Sequence, residues 1–553
     1  MITNRTRVTF ENGTTIEIDK GTSLYELSRK YQPEMKHKIV GAEINNEVVP
    51  LDYRVNKESN VMFLDSTYMN GYKIAKSGLE FVIEVALKEE FGRDYEVEYD
   101  YSILSEVYMT IKGPKKFTLP DAKKLKAKMN EIISNDEIIQ RLNVDKKEAI
   151  AYYNKVDCPE KAINIHNTSK DIVRVYKLRN YINYFYAGMP YSTGALDNFN
   201  LVFLADNKLV LLFHSRTAGK NEYVLYQNVI RSYDEGKVWA NKMEIPYLSN
   251  VNQLVSDSKI EDVIKAVETN FNNELNILAE DILRKKAKYI LIAGPSSSGK
   301  TTTTKKLALQ LRSRGIPSLL ISADNYFKDL SEHDKPKEEL DLESIDLIEL
   351  KLLGKQLKEL MAGKKVLMPE YNFALGVKEY NSPPTSISED TIILIEGIHA
   401  INDKMTPDLN PDLKYKIFLS PLMPLNIDKH NYFSINDLRL MRRIIRDNRT
   451  RATNVGETIS GWSMVRNGEE RNIYPFVNGV NRVLNTSLLY EIGVLKVFVE
   501  PLLYSVPEGS LAYTEARRII EALNEFYPIP SDYVPDDSIL REFIGKSIFE
   551  SYK

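Results

Sequence analysis

The amino-acid sequence predicts a C-terminal α/β domain, a parallel sheet flanked by helices, behind a small β-grasp domain and a larger α+β domain. Three observations carry this. Tyr289-Ile-Leu-Ile-Ala293 is a short apolar run suited to burial on both faces of a parallel sheet, and it leads directly into Gly294-Pro-Ser-Ser-Ser-Gly299-Lys300-Thr301. Two further runs, Ser318-Leu-Leu-Ile-Ser322 and Thr391-Ile-Ile-Leu-Ile395, are followed by the acids Asp324 and Glu396. At the front, Val8 and Phe10 alternate with polar residues before Asn12-Gly13, and Ile16 and Ile18 alternate after it. Asn-Gly between two alternating runs marks a hairpin, because both turn residues must tolerate positive φ.

The front elements continue in order. Gly21-Thr-Ser-Leu-Tyr-Glu26 opens a helix, with Ser23 and Glu26 spaced as a capping box. Short strands follow around Lys38 to Ile44 and Val48 to Leu51, and Val61 to Leu64 closes the unit near residue 67. Residues 68–250 mix helices and strands. Leu125, Met129, Ile132 and Ile133 form one helix face entered through Pro120. Leu201 to Leu204 and Leu209 to Phe213, joined through Asp206-Asn207, read as a hairpin. Residues 251–286 read as a helical connector, and 287–553 as the α/β domain with a C-terminal extension.

The 553 residues are enough for three or four domains at roughly 100–200 residues each. With 74 Lys and Arg against 77 Asp and Glu, the net charge of −3 excludes a strongly basic, phosphate-seeking chain but not a local basic groove. The single cysteine, Cys158, excludes an intramolecular disulfide framework and a multi-cysteine metal site. The residues after Met1 form no apolar run of signal-peptide length, and no stretch approaches the roughly 18 apolar residues that span a bilayer. The expectation is a cytoplasmic protein without a membrane partner.

The chemistry sits in the C-terminal half. Gly294, Pro295, Ser296, Ser297, Ser298, Gly299, Lys300, Thr301 and Thr302 form a candidate nucleotide site. Glycines let the backbone wrap closely, and N–H groups at a helix start point at phosphates. Lys300 neutralises the β and γ phosphates, and the Thr301 hydroxyl ligates Mg²⁺. No Asn-Lys-x-Asp or Asp-x-x-Gly follows Lys300, which argues against a switch GTPase. In an open α/β sheet ligands bind at the carboxyl ends of strands, so Asp324 faces the γ-phosphate and can accept an alcohol proton. The alternative for Asp324 is a helix N-cap. Glu396 has the position of a carboxylate that holds Mg²⁺. Arg439, Arg442, Arg443 and Arg446 share one helix face, suited to clamping migrating phosphoryl charge; a solvated or RNA-facing strip is the alternative. Arg449 and Arg451 extend this basic run into a candidate mobile lid. His399 and His430 stand apart from other ligand-type residues and read as structural or substrate-edge residues.

The loop, Asp324-Asn-Tyr-Phe327, Pro369-Glu-Tyr-Asn-Phe373, Ile395-Glu-Gly-Ile-His399 and Asp437 to Asp447 together resemble the uridine kinase/phosphoribulokinase family. The front strands and Gly188-Met-Pro-Tyr-Ser-Thr-Gly194 resemble the TGS domain and the domain after it in threonyl-tRNA synthetases, as in long bacterial nucleoside kinases. The resemblance implies ATP- or GTP-dependent, Mg²⁺-requiring phosphorylation of a nucleoside 5′-hydroxyl. It implies Asp324 as base, Asp341 on the ribose hydroxyls, Tyr371 near the base ring and Arg439 near the sugar. It also implies Arg442 and Arg446 as lid arginines near the phosphates. Two departures stand out. Gly376 replaces a histidine that contacts pyrimidines, and no His-Pro follows Asp341. Strict uridine specificity is therefore not implied. The synthetase-like region lacks the paired His and Cys of a hydrolytic site: the helix from Tyr72 to Phe91 has no histidine, and none stands four residues after Cys158.

Two other functions fit the sequence: an NTP-sensing RNA-binding regulator, with RNA or a small ligand at the N-terminal domains, and a kinase of a phosphorylated sugar. The preferred nucleoside, the donor and any homo-oligomer are left open.

Overall fold

The computed structural model describes residues 5–550 except 169, 198, 206, 214–222, 333–342 and 373–374. At the front, Arg5–Phe10 and Thr15–Asp19 pair antiparallel around Gly13 at φ +81°; Asn12, expected at positive φ as well, is not, and its Oδ1 accepts the Thr14 N–H at 2.9 Å instead. Ser59–Leu64 pairs parallel to Arg5–Phe10 and antiparallel to Gly41–Ile44, giving a five-stranded sheet completed by Glu47–Val49. The helix Leu24–Tyr31 starts at Ser23, whose hydroxyl accepts the Glu26 N–H at 3.2 Å, and buries Leu24 and Leu27 against the sheet. Asp206 of the expected hairpin link lies outside the described residues, but its strands Phe199–Ala205 and Lys208–Phe213 pair antiparallel. They join Glu106–Lys112 and Glu96–Ile103 in a four-stranded sheet. The helices Met69–Phe91 and Leu119–Ser134 pack with this sheet, and Leu125, Met129 and Ile132 face the core as their spacing predicts.

Five parallel strands build the C-terminal half in the order Ser318–Ser322, Ile392–Glu396, Tyr289–Ala293, Lys414–Ser420, Arg482–Asn485. Alternation along Tyr289–Ala293 sends Ile290 and Ile292 to one layer and Tyr289, Leu291 and Ala293 to the other. The first layer holds the helices Ile260–Arg284 and Lys300–Arg312; the second holds Leu350–Met361. The segment read as a connector is thus a layer of the sheet: Ile264, Phe271, Leu275, Leu278 and Ile282 are all buried against it. The order reverses at Tyr289–Ala293, so the connections diverge there and leave a crevice at the carboxyl ends of the strands.

The middle region is locked to this sheet by a hairpin of Asn426–Asp428 and Asn431–Tyr432. Asp428 and Lys161 are both fully buried, 3.5 Å apart. Asp428 also accepts from Tyr184 Oη at 2.8 Å, the His430 N–H at 2.8 Å and Asn431 Nδ2 at 2.9 Å. Asn183, which accepts from Lys161, bonds Glu84 at 2.5 Å and His430 Nδ1 at 2.9 Å. Burial pushes the His430 imidazole down to about 3, so it is neutral and structural. Burial likewise raises the Cys158 thiol to about 11, which keeps it protonated. Replacing Lys161 with Met leaves Asp428 buried without its cation, and a loss of about 3–5 kcal/mol in denaturant unfolding is expected; a loss below about 1 kcal/mol would contradict this reading of the interface.

Candidate active site

The loop after Tyr289–Ala293 requires its glycines. A Cβ on Gly294 would meet the Leu419 carbonyl oxygen at 2.5 Å and Ser298 Oγ at 2.6 Å, and Gly299 holds φ at +82°. The carbonyls of the loop are bound from beneath. Arg439 Nε donates to Ser296 O at 2.9 Å, Arg442 Nη1 to Ser297 O at 3.3 Å, and Thr486 Oγ1 to Ser298 O at 2.7 Å. Across a trans peptide the next N–H points opposite to the carbonyl. Holding the Ser296 and Ser298 oxygens down therefore turns the N–H groups of Ser297 and Gly299 upward, as an anion cradle requires. Two loop amides are already engaged: the Ser296 N–H donates to Glu469 Oε1 at 2.8 Å and the Ser298 N–H to Pro295 O at 3.2 Å. Lys300 Nζ folds over the loop to Gly294 O at 3.0 Å and Pro295 O at 3.3 Å, while Thr301 is exposed at the mouth and Thr302 is buried.

Two carboxylates meet beside this loop. Parallel pairing sets Ser322 opposite Glu396, and Ser322 Oγ donates to Glu396 Oε1 at 2.9 Å. Asp324, two residues beyond, lies in the short 3₁₀ turn Ala323–Tyr326. Burial raises the Asp324 carboxyl, against the opposing pull of Lys300, Arg451 and Arg446. Burial, then the charge of Asp324, raises Glu396 as well. Two buried acids, one raising the other, beside a lysine form a site poised for a cation and an anion together.

The expected arginine stripe exists on the helix Ile435–Arg451, but its members divide. Arg439 is 1% exposed, paired with Glu469 and stacked on Trp462 at 5.1 Å. Arg442 is fully buried, with Nη2 2.7 Å from Glu491 and 2.8 Å from Thr486 O. Neither guanidinium reaches the cleft, because buried carboxylates and loop carbonyls already use it. Arg439 beside the sugar and Arg442 as a lid arginine are therefore corrected to supports of the loop floor. Arg443 donates to Ser296 Oγ at 2.9 Å. Arg446, tied to Asp447 at 2.8 Å, is the predicted arginine whose charge reaches Asp324, together with Arg451. Arg449 and Arg451 belong to the same helix rather than to a separate lid, and Arg449 holds Glu550 at 2.7 Å.

On the acceptor side, Asp341 lies outside the described residues, as does Phe373. Tyr371 sits in the hairpin of Glu370–Asn372 and Val377–Glu379, its N–H on Asn325 Oδ1 at 3.2 Å and its ring 5.7 Å from Phe327. The same hairpin explains Gly376: φ is +69°, and a Cβ would lie 2.2 Å from Leu330. His399 is buried. Sequence reasoning missed Glu343, which burial and then Glu469 push up to about 7 while Arg443 and Lys300 oppose it. It also missed Glu469, Glu491 and Glu542, none of which carries a local motif.

The fold and loop define a nucleotide-dependent phosphotransferase-type domain. Residues 289–481 match the Phosphoribulokinase / Uridine kinase family, and residues 6–65 match the TGS domain. A threonine–tRNA ligase of Clostridium kluyveri is 26% identical over 178 residues, 32% of this chain and 28% of that protein. A uridine kinase of Halobacterium salinarum is 30% identical over 160 residues, 28% of this chain and 60% of that protein. A uridine kinase of Borrelia hermsii is 29% identical over 190 residues, 34% of this chain and 81% of that protein. The chain thus spans under a third of the ligase's length. Among the described residues, no helix is long and apolar enough to cross a membrane.

Proposed function

We propose that the C-terminal half transfers the γ-phosphoryl group of ATP or GTP to the 5′-hydroxyl of a nucleoside, giving the nucleoside monophosphate. One observation carries the reading: Asp324 and Glu396 end adjacent strands beside a phosphate-binding loop, with Lys300 acting on both. In this reading the loop N–H groups and Lys300 hold the donor phosphates. Asp324 takes the proton of the attacking hydroxyl as the new O–P bond forms and the bond to the bridging oxygen breaks, releasing the nucleoside diphosphate. Arg446, with Arg451, offsets the charge on the moving group. Arg439 and Arg442 keep the loop carbonyls out of the way. Tyr371 and Asp341 belong to the nucleoside side.

The oxygen donors fit Mg²⁺. Thr301 and Glu396 would hold it, and among the described residues no group of three or more His, Cys, Asp or Glu is placed to cage a metal. One or two protein oxygens plus nucleotide phosphates is the usual Mg²⁺ arrangement, and Mg²⁺ held there would supply positive charge against the phosphates. The buried glycine turn at Gly376 leaves no side chain where a pyrimidine-reading histidine would stand, which supports acceptance of more than one nucleoside.

We read residues 1–67 and 68–250 as TGS-like and synthetase-like domains that support the kinase, in a cytoplasmic protein. The test is a coupled assay of the full chain against ribo- and deoxyribonucleosides, with ATP and GTP as donors. Nucleoside-dependent diphosphate release with several nucleosides is expected. No release with any of them, together with steep salt-dependent RNA affinity, would replace the kinase with an RNA-binding sensor.

A further inference from the structure

Residues 537–549 reach the phosphate-binding helix. Ile539 approaches Gly299, where a Cβ would stand 3.9 Å from its side chain. Lys306 Nζ bonds Asp537 Oδ2 at 2.7 Å, and Lys305 Nζ bonds the Phe549 carbonyl at 2.9 Å. Arg449 Nη2 donates to Glu542 O at 3.1 Å and its Nε to Phe543 O at 3.3 Å. Between these anchors the Glu542 side chain turns to the loop: its Oε2 accepts the backbone N–H of Thr302 at 3.2 Å.

That N–H belongs to the first turn of Lys300–Arg312, whose amides have no partner inside the helix. It continues the row of donors that a phosphate-binding loop presents to the α and β phosphates of a nucleotide. One N–H cannot serve a carboxylate and a phosphate fully at once, and two anions placed there repel. We propose that Glu542 is an autoinhibitory phosphate mimic, which a nucleoside triphosphate must displace from the Thr302 amide to bind. The anchors supply the resistance. Arg449 lies on the same helix as Arg442 and Arg446, so release of the segment is tied mechanically to the helix that floors the loop. The inference rests on the loop binding a triphosphate, and on nothing about the acceptor.

The test titrates the full chain with a fluorescent ATP analogue and Mg²⁺, comparing wild type, Glu542→Gln, Arg449→Gln and Lys300→Ala. Lys300→Ala should lose binding. Glu542→Gln, which keeps the shape and removes the charge, should bind about fivefold tighter. Arg449→Gln, which loosens the anchor, should also tighten binding. In wild type, saturating nucleotide should speed hydrogen exchange across residues 536–550. If wild type binds and Lys300→Ala does not, while Glu542→Gln is no tighter or exchange slows, this inference alone falls. If neither wild type nor Glu542→Gln binds, it falls together with the nucleotide-site reading.

Discussion

Replacing Asp324 with Asn is expected to cut turnover by about 10²- to 10⁴-fold while nucleotide affinity stays within a few-fold of wild type. The carboxylate accepts the proton of the attacking alcohol, and an amide of the same shape cannot. Its neighbours make the contrast clean. Lys300 is held by Gly294 and Pro295 carbonyls, and Glu396 by Ser322, so neither contact is lost in the variant. Single-turnover kinetics and nucleotide titration on the same preparation separate the two quantities. Turnover within about threefold of wild type would remove Asp324 from the chemistry and return it to the role of a turn-forming residue.

The second large effect is on stability. Arg442 and Glu491 are both fully buried, and Arg442 Nε donates to Glu491 Oε2 at 2.8 Å. Removing one partner leaves the other charge unpaired in the interior, which costs about 3–5 kcal/mol. Arg442→Met should therefore lower the denaturant midpoint strongly. The double variant Arg442→Met, Glu491→Leu should recover much of that loss, because paired apolar replacement removes both desolvation penalties. The loop floor would be less defined even then, since Ser297 and Thr486 carbonyls lose their donor. A single variant with unchanged stability and a large loss of turnover would instead place Arg442 in the cleft.

Much of the fold was legible because its signals are local. Asn12-Gly13 marked a hairpin, though only Gly13 takes positive φ; the Leu125 to Ile132 spacing marked a helix face, and the run before Gly294 a buried strand. The loop was legible for the same reason: its glycines answer to contacts within a few residues, such as Ser298 beside Gly294. The arginine stripe shows where that kind of reading stops. Helical spacing places four guanidiniums on one face, but what faces them is decided by Glu469 and Glu491, 30 and 49 residues away from Arg439 and Arg442. A buried pair and a phosphate clamp have the same periodicity. Glu542 was beyond reach entirely, since it meets Thr302 across 240 residues and lies in a short helix with no motif of its own. The connector failed differently. Ile260–Arg284 has the amphipathic pattern of any surface helix, and only the packed sheet reveals that its apolar face is one of the two layers.

The most direct measurement follows the transferred group. The full chain is incubated with γ-³²P-labelled ATP or GTP, Mg²⁺ and a nucleoside, and the labelled products are separated. The account predicts label in a nucleoside 5′-monophosphate, formed only when nucleoside is present and lost in Asp324→Asn. Label recovered only as inorganic phosphate, or retained in the triphosphate for every nucleoside and donor, would contradict it.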